Sequence, residues 1–312
     1  MLQKKVFKYH AFGLRISSEV ILSDLPIAHF SSSSEININL LQHPKLTELF
    51  KPLFSEVSYV VEHPQSVFFK IAHVGQAHVK NGRTITLDLL PQADLDVLRI
   101  YLLGSIFGVL LMQRGFFCVH ASALSYEGKV FLFMGESGQG KSTTCKYFIS
   151  KGFTYLGDDY LPIAITKDHA MAIPSFPQIK LWGDTLQMVN LQQNEFVKQI
   201  RSDVAKYNVF NFTTFSTETS PVAGIIQLEW NDENELLLNR LLPNEAQIAC
   251  LKNIYRKELL PDLNLYSKAF LFARNLSERV PCYELTGKRS IKQLDHLLTN
   301  ILTIAHEYIL NC

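Results

Sequence analysis

Eight residues in the middle of the chain have the types and spacing of a phosphate-binding loop. Residues 135–142 read Gly-Glu-Ser-Gly-Gln-Gly-Lys-Ser, which matches the pattern GxxxxGK[ST] at every fixed position. Glycines let a backbone wrap a phosphate chain so that successive N–H groups point inward, and a helix that begins at Lys141 adds the positive end of its dipole. The pattern therefore predicts a site for the phosphates of a nucleoside triphosphate.

Two side chains at the end of this loop could act on the phosphates directly. Lys141 would reach the β and γ phosphates, and the hydroxyl of Ser142 would ligate Mg²⁺. The expected nucleotide contacts are the loop and the residue after it: Gly135, Glu136, Ser137, Gly138, Gln139, Gly140, Lys141, Ser142 and Thr143.

A pair of carboxylates, Asp158 and Asp159, ends the apolar segment FTYLG that follows the loop and its helix. At that position both acids can face the phosphate site. One would hold Mg²⁺ together with Ser142, and the other would accept a proton from an attacking hydroxyl. A solvated Asp-Asp turn is the alternative, which the placement beside the predicted loop disfavours.

His120 lies at the end of the apolar stretch FCV, ahead of the loop. Histidine is a common acid-base group because its pKa lies near neutrality. A lone histidine beside apolar residues is more often a buried structural residue, and the residue types alone leave both interpretations open.

The elements around these residues follow an α/β order. VFLFMG, ESGQGK, STTCKYFISKG and FTYLGDD read as strand, loop, helix and strand, which is typical of a parallel sheet covered by helices. Two strand pairs are expected next: LPIAI with AMAIP, joined at residues 167–169, and VAGIIQLEW with ELLLNRLL, joined at residues 231–233. The last third is mainly helical. One helix starts at Pro243-Asn244, and a final helix runs from about Arg289 to Leu310.

The first 90 residues contain short β-like segments, with Asn81-Gly82 as a two-residue hairpin turn, and predict an antiparallel sheet. The cluster SSSSE at residues 31–35 leads into the strand ININ. Helical periodicity from Ala93 to Arg114 predicts a helix that acts as a hinge or buttress. We therefore expect an N-terminal β-rich domain at 1–90 and a catalytic domain at 91–312.

Composition excludes several classes of protein. Thirty basic and 29 acidic residues leave a net charge of +1, which argues against nucleic acid as a partner. The longest apolar run, Tyr101–Met112, is too short to span a bilayer and predicts a buried helix, so no membrane is expected. Five scattered cysteines without a CxxC pair suit neither a disulfide framework nor a zinc site, and the reducing cytoplasm is the expected compartment.

Two motifs that are absent from the sequence limit the classes of nucleotide-binding protein to which the chain could belong. The chain has no NKxD motif for reading guanine and no LSGGQ segment of transport ATPases. Both absences disfavour a GTPase switch or a transporter.

Taken together, His120-Ala-Ser, the loop at 135–142 and Gly157-Asp158-Asp159 resemble the catalytic domain of the HPr serine kinase/phosphorylase family. In that family a histidine precedes a G(D/E)SGxGKS loop and a paired Asp-Asp follows one helix later. The resemblance implies a P-loop kinase core of the HPr kinase and phosphoenolpyruvate carboxykinase type, with ATP and Mg²⁺ as cofactors. It also implies that Asp158 is the base, that His120 and Lys141 lie at the reacting phosphate, and that Ser142 and Asp159 bind the metal.

The chain departs from the family at two positions. HPr kinases commonly have Glu after the loop serine, where this chain has Thr143, and their E-x-R-G segment corresponds at best to residues 178–181, Gln-Ile-Lys-Leu. The first difference puts a second metal ligand in doubt, and the second puts a reverse phosphorylase activity in doubt.

Other segments are similar to a divergent branch, the lasso-peptide precursor kinases. These segments are YHAFGLRISSEVILSDLP near the start, FPQIKLW at 176–182, Lys206-Tyr207 and VPCYELTGKRSIKQL at 280–294. The resemblance implies a kinase that phosphorylates a serine of a ribosomally made precursor peptide.

Two other functions are kept open: a kinase for HPr, another protein or a small hydroxyl compound, and a nucleotide-binding regulator without kinase activity. The expected partners are a nucleoside triphosphate and a serine-bearing peptide or protein, and a homo-oligomer is left open. The N-terminal domain is expected to recognise the acceptor or form a subunit contact, with a plain scaffold as the alternative.

Overall fold

The computed structural model describes residues 5–41, 57–183, 186, 196–201, 204–233 and 235–310. Cys312 lies outside these ranges. The protein is mixed α/β with several sheets, as the sequence predicts. Its chain forms two compact units: Met1–Phe116 with Glu258–Tyr266, and Phe117–Lys257 with Ser267–Cys312. The domain boundary expected after residue 90 stays a prediction.

The first unit contains a seven-stranded sheet. Its strands are β1 (Phe7–Ala11), β2 (Leu14–Ser18), β3 (Ile36–Leu40), β4 (Val57–His63), β5 (Ser66–Ile71), β6 (Gly75–Lys80) and β7 (Thr84–Leu89). They are ordered β1-β2-β3-β7-β6-β5-β4. The prediction of a wholly antiparallel sheet was wrong, because β3 pairs parallel with both β2 and β7. The long connection over residues 19–35 permits this, since only a tight hairpin forces the next strand to run antiparallel.

The predicted hairpin turn at Asn81-Gly82 is confirmed. Strands β6 and β7 pair antiparallel across it, with Lys80 opposite Thr84. Asn81 and Gly82 have φ values of 56° and 57°, the positive values that a two-residue hairpin turn needs at both central positions.

The predicted apolar helix of the first unit is confirmed, with an irregular centre. It consists of α1 (Leu95–Tyr101), a π-helical segment (Leu102–Ile106) and α2 (Phe107–Gln113). The stretch Leu95–Gln113 is long and apolar enough to cross a membrane by length and composition, but 72% of its apolar window is buried inside the protein. Burial of this kind is typical of a core helix.

The second unit is built on a nine-stranded sheet. Its strands are β8 (Phe117–Val119), β9 (Ser122–Tyr126), β10 (Lys129–Met134), β11 (Thr154–Gly157), β12 (Leu161–Ile165), β13 (Ala170–Ala172), β17 (Ser220–Trp230), β18 (Leu237–Arg240) and β19 (Cys282–Gly287). The predicted pairing of β12 with β13 is confirmed.

The predicted strand–loop–helix–strand order holds, with one strand inserted. Helix α3 (Lys141–Ser150) follows β10 and leads to β11. Strand β9 lies between β10 and β11 and is antiparallel to both, so β10 and β11 run in the same direction without touching. The parallel neighbour of β10 is β17. The tight β9–β10 hairpin explains the insertion, because it commits one edge of β10 to its own preceding strand.

The predicted pairing of VAGIIQLEW with ELLLNRLL was wrong. Strand β19 lies between β17 and β18; it pairs parallel with β17 and antiparallel with β18. The Asn-Asp signal at residues 231–232 marks the chain reversal correctly. It carries no information about a partner strand that arrives fifty residues later.

A separate three-stranded sheet and three further helices complete the described part of the second unit. The sheet has the order β14 (Gln178–Trp182), β16 (Val204–Phe210) and β15 (Phe196–Arg201). The helices are α4 (Pro243–Lys252), α5 (Tyr266–Arg279) and α6 (Ile291–Leu310). The first residue of α5, Tyr266, belongs to the first unit, and the rest of the helix belongs to the second. Helices α3 and α6 share a core with β10, in which Phe133, Phe148 and Leu297 are fully buried.

Candidate active site

The phosphate-loop sequence folds into the predicted strand–loop–helix arrangement. Strand β10 enters the loop, and α3 leaves it at Lys141. The loop contains three glycines with positive φ: 143° at Gly135, 94° at Gly138 and 73° at Gly140. Residues that have a Cβ rarely adopt such values. The Oε1 atom of Gln139 accepts a hydrogen bond of 3.0 Å from the backbone N–H of Trp230, and this contact ties the loop to the end of β17.

Lys141 lies folded onto its own loop. Its Nζ donates to the carbonyl oxygens of Gly135 at 2.7 Å and Glu136 at 3.0 Å. Burial lowers the pKa of Lys141, and the charges of Asp158 and Asp159 act in the opposite direction. The ammonium group is thus held by neutral carbonyls, which a phosphate oxygen can replace.

Asp158 is placed beside the phosphate loop. Its Oδ2 accepts hydrogen bonds of 2.8 Å from Ser142 Oγ and from the backbone N–H of Lys180, and its Oδ1 accepts from Ser122 Oγ. The residue is only 5% exposed. These three donors fix the carboxylate against the predicted metal-binding hydroxyl.

Asp159 points elsewhere because its backbone has φ = 76°. Its Oδ2 accepts a hydrogen bond of 2.7 Å from Lys180 Nζ, and its Oδ1 lies 3.7 Å from His120 Nδ1. Burial acts to raise the pKa of Asp159, but the charges of Lys180, His120 and Lys206 and the hydrogen bond from Lys180 together outweigh burial and lower the pKa to about 2. The carboxylate is therefore ionised throughout the physiological range.

His120 faces this acid pair. Burial lowers its pKa below the ordinary 6.5, and the charge of Asp159 acts against that shift. Its ring lies 6.4 Å from that of Tyr255, which stacks on Tyr160 at 4.2 Å between centroids. The side chain keeps 31% of its surface exposed and lines the cavity described next, so the histidine is not wholly packed away in the core.

A cavity of about 310 Å³ joins the loop to the two carboxylates. It is lined by His120, Ser137, Gly138, Gly140, Lys141, Ser142, Thr143, Asp158, Asp159, Lys180, Leu181, Trp182, Lys206 and Arg289. Four of these residues are cations and two are carboxylates, which leaves the walls with two net positive charges. Such a lining suits a polyphosphate anion.

The structure brings together most of the residues expected from the sequence. His120, Ser137, Gly138, Gly140, Lys141, Ser142, Thr143, Asp158 and Asp159 line one cavity. Gly135 and Glu136 offer their carbonyl groups to Lys141, and Gln139 anchors the loop. The side chain of Glu136 is exposed and is not part of the cavity lining.

Five cavity residues were missed as site residues: Lys180, Leu181, Trp182, Lys206 and Arg289. Arg289 is the clearest, because its Nη1 lies 3.5 Å from the carbonyl oxygen of Gly138 and 2.8 Å from the position that a Cβ on Gly140 would take. A signal for Lys180 and Trp182 was present in QIKLW, whose alternation places both side chains on the face opposite Ile179 and Leu181. Nothing local in the sequence links Lys206 or Arg289 to the loop.

Comparison with known proteins adds a distant structural likeness. No family model and no curated protein matches the chain. Among solved structures, it is similar to the HPr(Ser) kinase/phosphatase from Coxiella burnetii, with 10% sequence identity and a TM-score of 0.31, over 62% of this chain and 99% of that one. At that TM-score the function has to be argued from the geometry of the site itself.

Proposed function

We propose that this protein is an ATP- and Mg²⁺-dependent kinase that transfers the γ-phosphoryl group to a serine hydroxyl, and that the serine belongs to a ribosomally made precursor peptide. One observation carries the proposal: the phosphate loop and a buried, hydrogen-bonded carboxylate meet in one positively charged cavity, with Ser142 Oγ 2.8 Å from Asp158. Binding of a nucleotide with Mg²⁺ uses one acid beside the loop, and the second acid supports a proton-accepting role.

The loop supplies the nucleotide contacts. Backbone N–H groups at the start of α3 and the helix dipole would hold the phosphates, and Lys141 would exchange its carbonyl contacts for oxygens of the β and γ phosphates. Arg289, beside Gly138, would add a second positive charge on the same side.

The residues present also fit Mg²⁺, a hard cation that prefers oxygen ligands and is usually held by one or two carboxylates together with substrate phosphates. Ser142 would hold the ion together with an oxygen of the acid pair, which the family spacing assigns to Asp159. When bound, Mg²⁺ supplies charge neutralisation at the phosphates. The contact between Ser142 and Asp158 favours a second assignment, in which Asp158 is the ligand and Asp159 the base.

We assign the role of proton acceptor to Asp158, which the surroundings of Asp159 support. Asp159 is held ionised by Lys180, and a carboxylate with a pKa of about 2 binds a proton weakly. In the transfer step the serine oxygen forms a bond to the γ phosphorus. The bond from that phosphorus to its bridging oxygen breaks, the electron pair leaves with ADP, and Asp158 accepts the hydroxyl proton.

His120 would remain neutral at pH 7, because burial lowers its pKa. A neutral imidazole can accept or donate a hydrogen bond at the reacting phosphate without adding charge. Its contact with Asp159 orients the ring toward the acid pair.

The location that we propose for this protein is the reducing cytoplasm. The four cysteines in the described part of the chain, Cys118, Cys145, Cys250 and Cys282, are free thiols and are buried. Free buried thiols are common in proteins of a reducing compartment. The acceptor would then be a newly made peptide in the same compartment.

The test is mass spectrometry of serine-containing peptides after incubation with ATP and Mg²⁺. We expect a gain of one HPO₃ unit on serine with the native chain. The variant Lys141→Ala should lose at least about a hundredfold of the rate, because the charge between the phosphates is removed. Lys167→Ala, in an exposed turn between β12 and β13, is the matched control and should keep the native rate. Equal rates in Lys141→Ala and the native chain would refute the loop assignment.

A further inference from the structure

The three-stranded sheet turns one side toward the cavity. Along β14, the side chains of Ile179 and Leu181 are buried in the hydrophobic core, although Leu181 also borders the cavity, and the alternate residues Lys180 and Trp182 line the cavity with polar or exposed side chains. This is the alternation of a strand with one face packed and one face open. The open face lies beside the acid pair, because Lys180 bonds to Asp159.

Trp182 and Lys206 form a pair on that open face. They are directly opposite in the β14–β16 register, and the Nζ atom of Lys206 lies 5.3 Å from the centre of the indole ring. Trp182 is 45% exposed although it is a large aromatic residue. Among the described residues no carboxylate forms an ion pair with Lys206, whereas Lys180 on the same face is paired with Asp159.

The phosphate loop has cations of its own, which leaves this pair available to the acceptor. The phosphate loop already has Lys141 and Arg289. Trp182 lies two residues from Lys180 along the strand, a distance of roughly 7 Å, and Lys180 is the residue that bonds to Asp159.

We propose that Trp182 and Lys206 form an acceptor subsite that binds a carboxylate of the substrate peptide close to the reacting serine. This inference rests on the proposed kinase function and names the acceptor class more closely. An extended peptide rises about 3.3 Å per residue, so a carboxylate one to three residues from the serine lies about 3–10 Å from it along the peptide. The indole ring restricts the lysine and offers a flat apolar surface to the peptide backbone.

The experiment uses the full chain and a set of serine peptides. Each peptide carries one Asp at a position from three residues before the serine to three after it, and each has an Asn counterpart. A further pair ends in serine, as the free acid and as the amide, which separates a side-chain carboxylate from a chain terminus. The apparent KM for each peptide and the KM for ATP are measured in the native chain, in Lys206→Met and in the control Lys167→Met.

We expect at least one carboxylate-bearing peptide to have a KM about tenfold lower than its neutral counterpart, a difference of about 1.4 kcal/mol. Lys206→Met should bring that ratio close to one, while the KM for ATP stays within about twofold of the native value. Lys167→Met should keep the native ratio. An unchanged ratio in Lys206→Met, or an effect confined to the KM for ATP, would overturn the inference.

A binding measurement separates this inference from the kinase proposal. The chain contains two tryptophans, so Trp230→Phe leaves Trp182 as the single indole reporter. In that background, a carboxylate peptide should change the fluorescence at lower concentration than its neutral counterpart, even without transfer. Transfer without this preference would refute the subsite alone, and the absence of transfer to any peptide would refute the kinase proposal. Equal titrations for both peptides would overturn the subsite in either case.

Discussion

Asp158 and Asp159 are neighbours in sequence but have different surroundings. Asp158 accepts three hydrogen bonds next to the phosphate loop, and Asp159 forms an ion pair with Lys180. The positive φ of Asp159 separates the two directions. One backbone turn thus gives two identical side chains different contacts.

The roles are tested by a pair of isosteric variants. Asp158→Asn should bind ATP and Mg²⁺ nearly as the native chain does and transfer phosphate at least about a hundredfold more slowly, because the proton acceptor is lost. Asp159→Asn should mainly raise the Mg²⁺ concentration needed for half-maximal rate. Transfer rates measured across a Mg²⁺ titration distinguish a lost proton acceptor from a lost metal ligand. Exchanged phenotypes would support the second assignment, with Asp158 as the metal ligand.

His120 has a stability signature that can be measured apart from catalysis. Because its folded pKa lies below 6.5, its neutral form is favoured by folding, and this contribution is present above pH 6.5 and lost as the pH falls through the folded pKa. The native chain should therefore lose more stability between pH 7.5 and pH 5 than His120→Gln does. Thermal unfolding of the native chain and of His120→Gln at both pH values measures the two losses of stability.

The same variant separates a site role from a structural one. At pH 7.5 His120→Gln should transfer phosphate about a hundredfold more slowly with little change in melting temperature. A variant that melts early and whose folded fraction keeps full specific activity would identify His120 as a structural residue.

Among the elements, the junction between β19 and α6 positions Arg289 at the loop. Gly287 ends β19 with φ = 127°, and a Cβ there would lie 2.5 Å from the carbonyl oxygen of Glu235. Ser290 then begins the helix, with its Oγ accepting a hydrogen bond from the backbone N–H of Gln293. The glycine and the cap together fix the short segment that contains Arg289.

Gly287→Ala tests this junction. We expect a loss of stability of about 1–3 kcal/mol and a higher KM for ATP, because the backbone must shift to relieve the clash. Gly128→Ala is the control: Gly128 also has a positive φ, of 72°, but no atom beyond its two chain neighbours lies within 4 Å of its Cβ position. Urea unfolding of both variants separates steric overlap from backbone strain. A smaller loss in Gly287→Ala than in Gly128→Ala would contradict the account.

The sequence predicted individual strands, helices and turns better than it predicted which of them lie side by side. Strand β10, helix α3 and the Asn81-Gly82 turn follow from short-range patterns that a few residues determine. The insertion of β19 beside β17 and the approach of Arg289 to Gly138 depend on residues more than fifty and 150 positions apart, respectively. Pairing over such distances is decided by packing of the whole unit, which leaves no trace in a local pattern.

For the molecule as a whole, the two units are each discontinuous in sequence. The first unit includes residues 258–266, which come from the second half of the chain. Within it, Phe12 stacks on Phe107 with ring centroids 5.4 Å apart, and the amide oxygen of Gln113 accepts a hydrogen bond from Gly82 N–H. The helix after residue 90 therefore packs against the strands before it.

This packing predicts the outcome of a truncation. Deleting residues 1–90 should expose the apolar surface of Leu102, Phe107 and Leu110, which are fully buried in the intact chain. We expect the truncated protein to aggregate or to bind a hydrophobic dye strongly. A monomeric truncation with native nucleotide affinity would show instead that the strands are dispensable, and would leave acceptor recognition as their expected role.

The destination of the γ-phosphate distinguishes a serine kinase from a protein that only binds or hydrolyses ATP. In one reaction with ATP labelled at the γ position, Mg²⁺ and a pool of serine peptides, the label is divided between peptide and inorganic phosphate. A kinase with Asp158 as its base should place most of the label on serine, and Asp158→Asn should abolish that fraction. Label found only in inorganic phosphate, or only in unreacted ATP, at native levels of nucleotide binding would contradict the account.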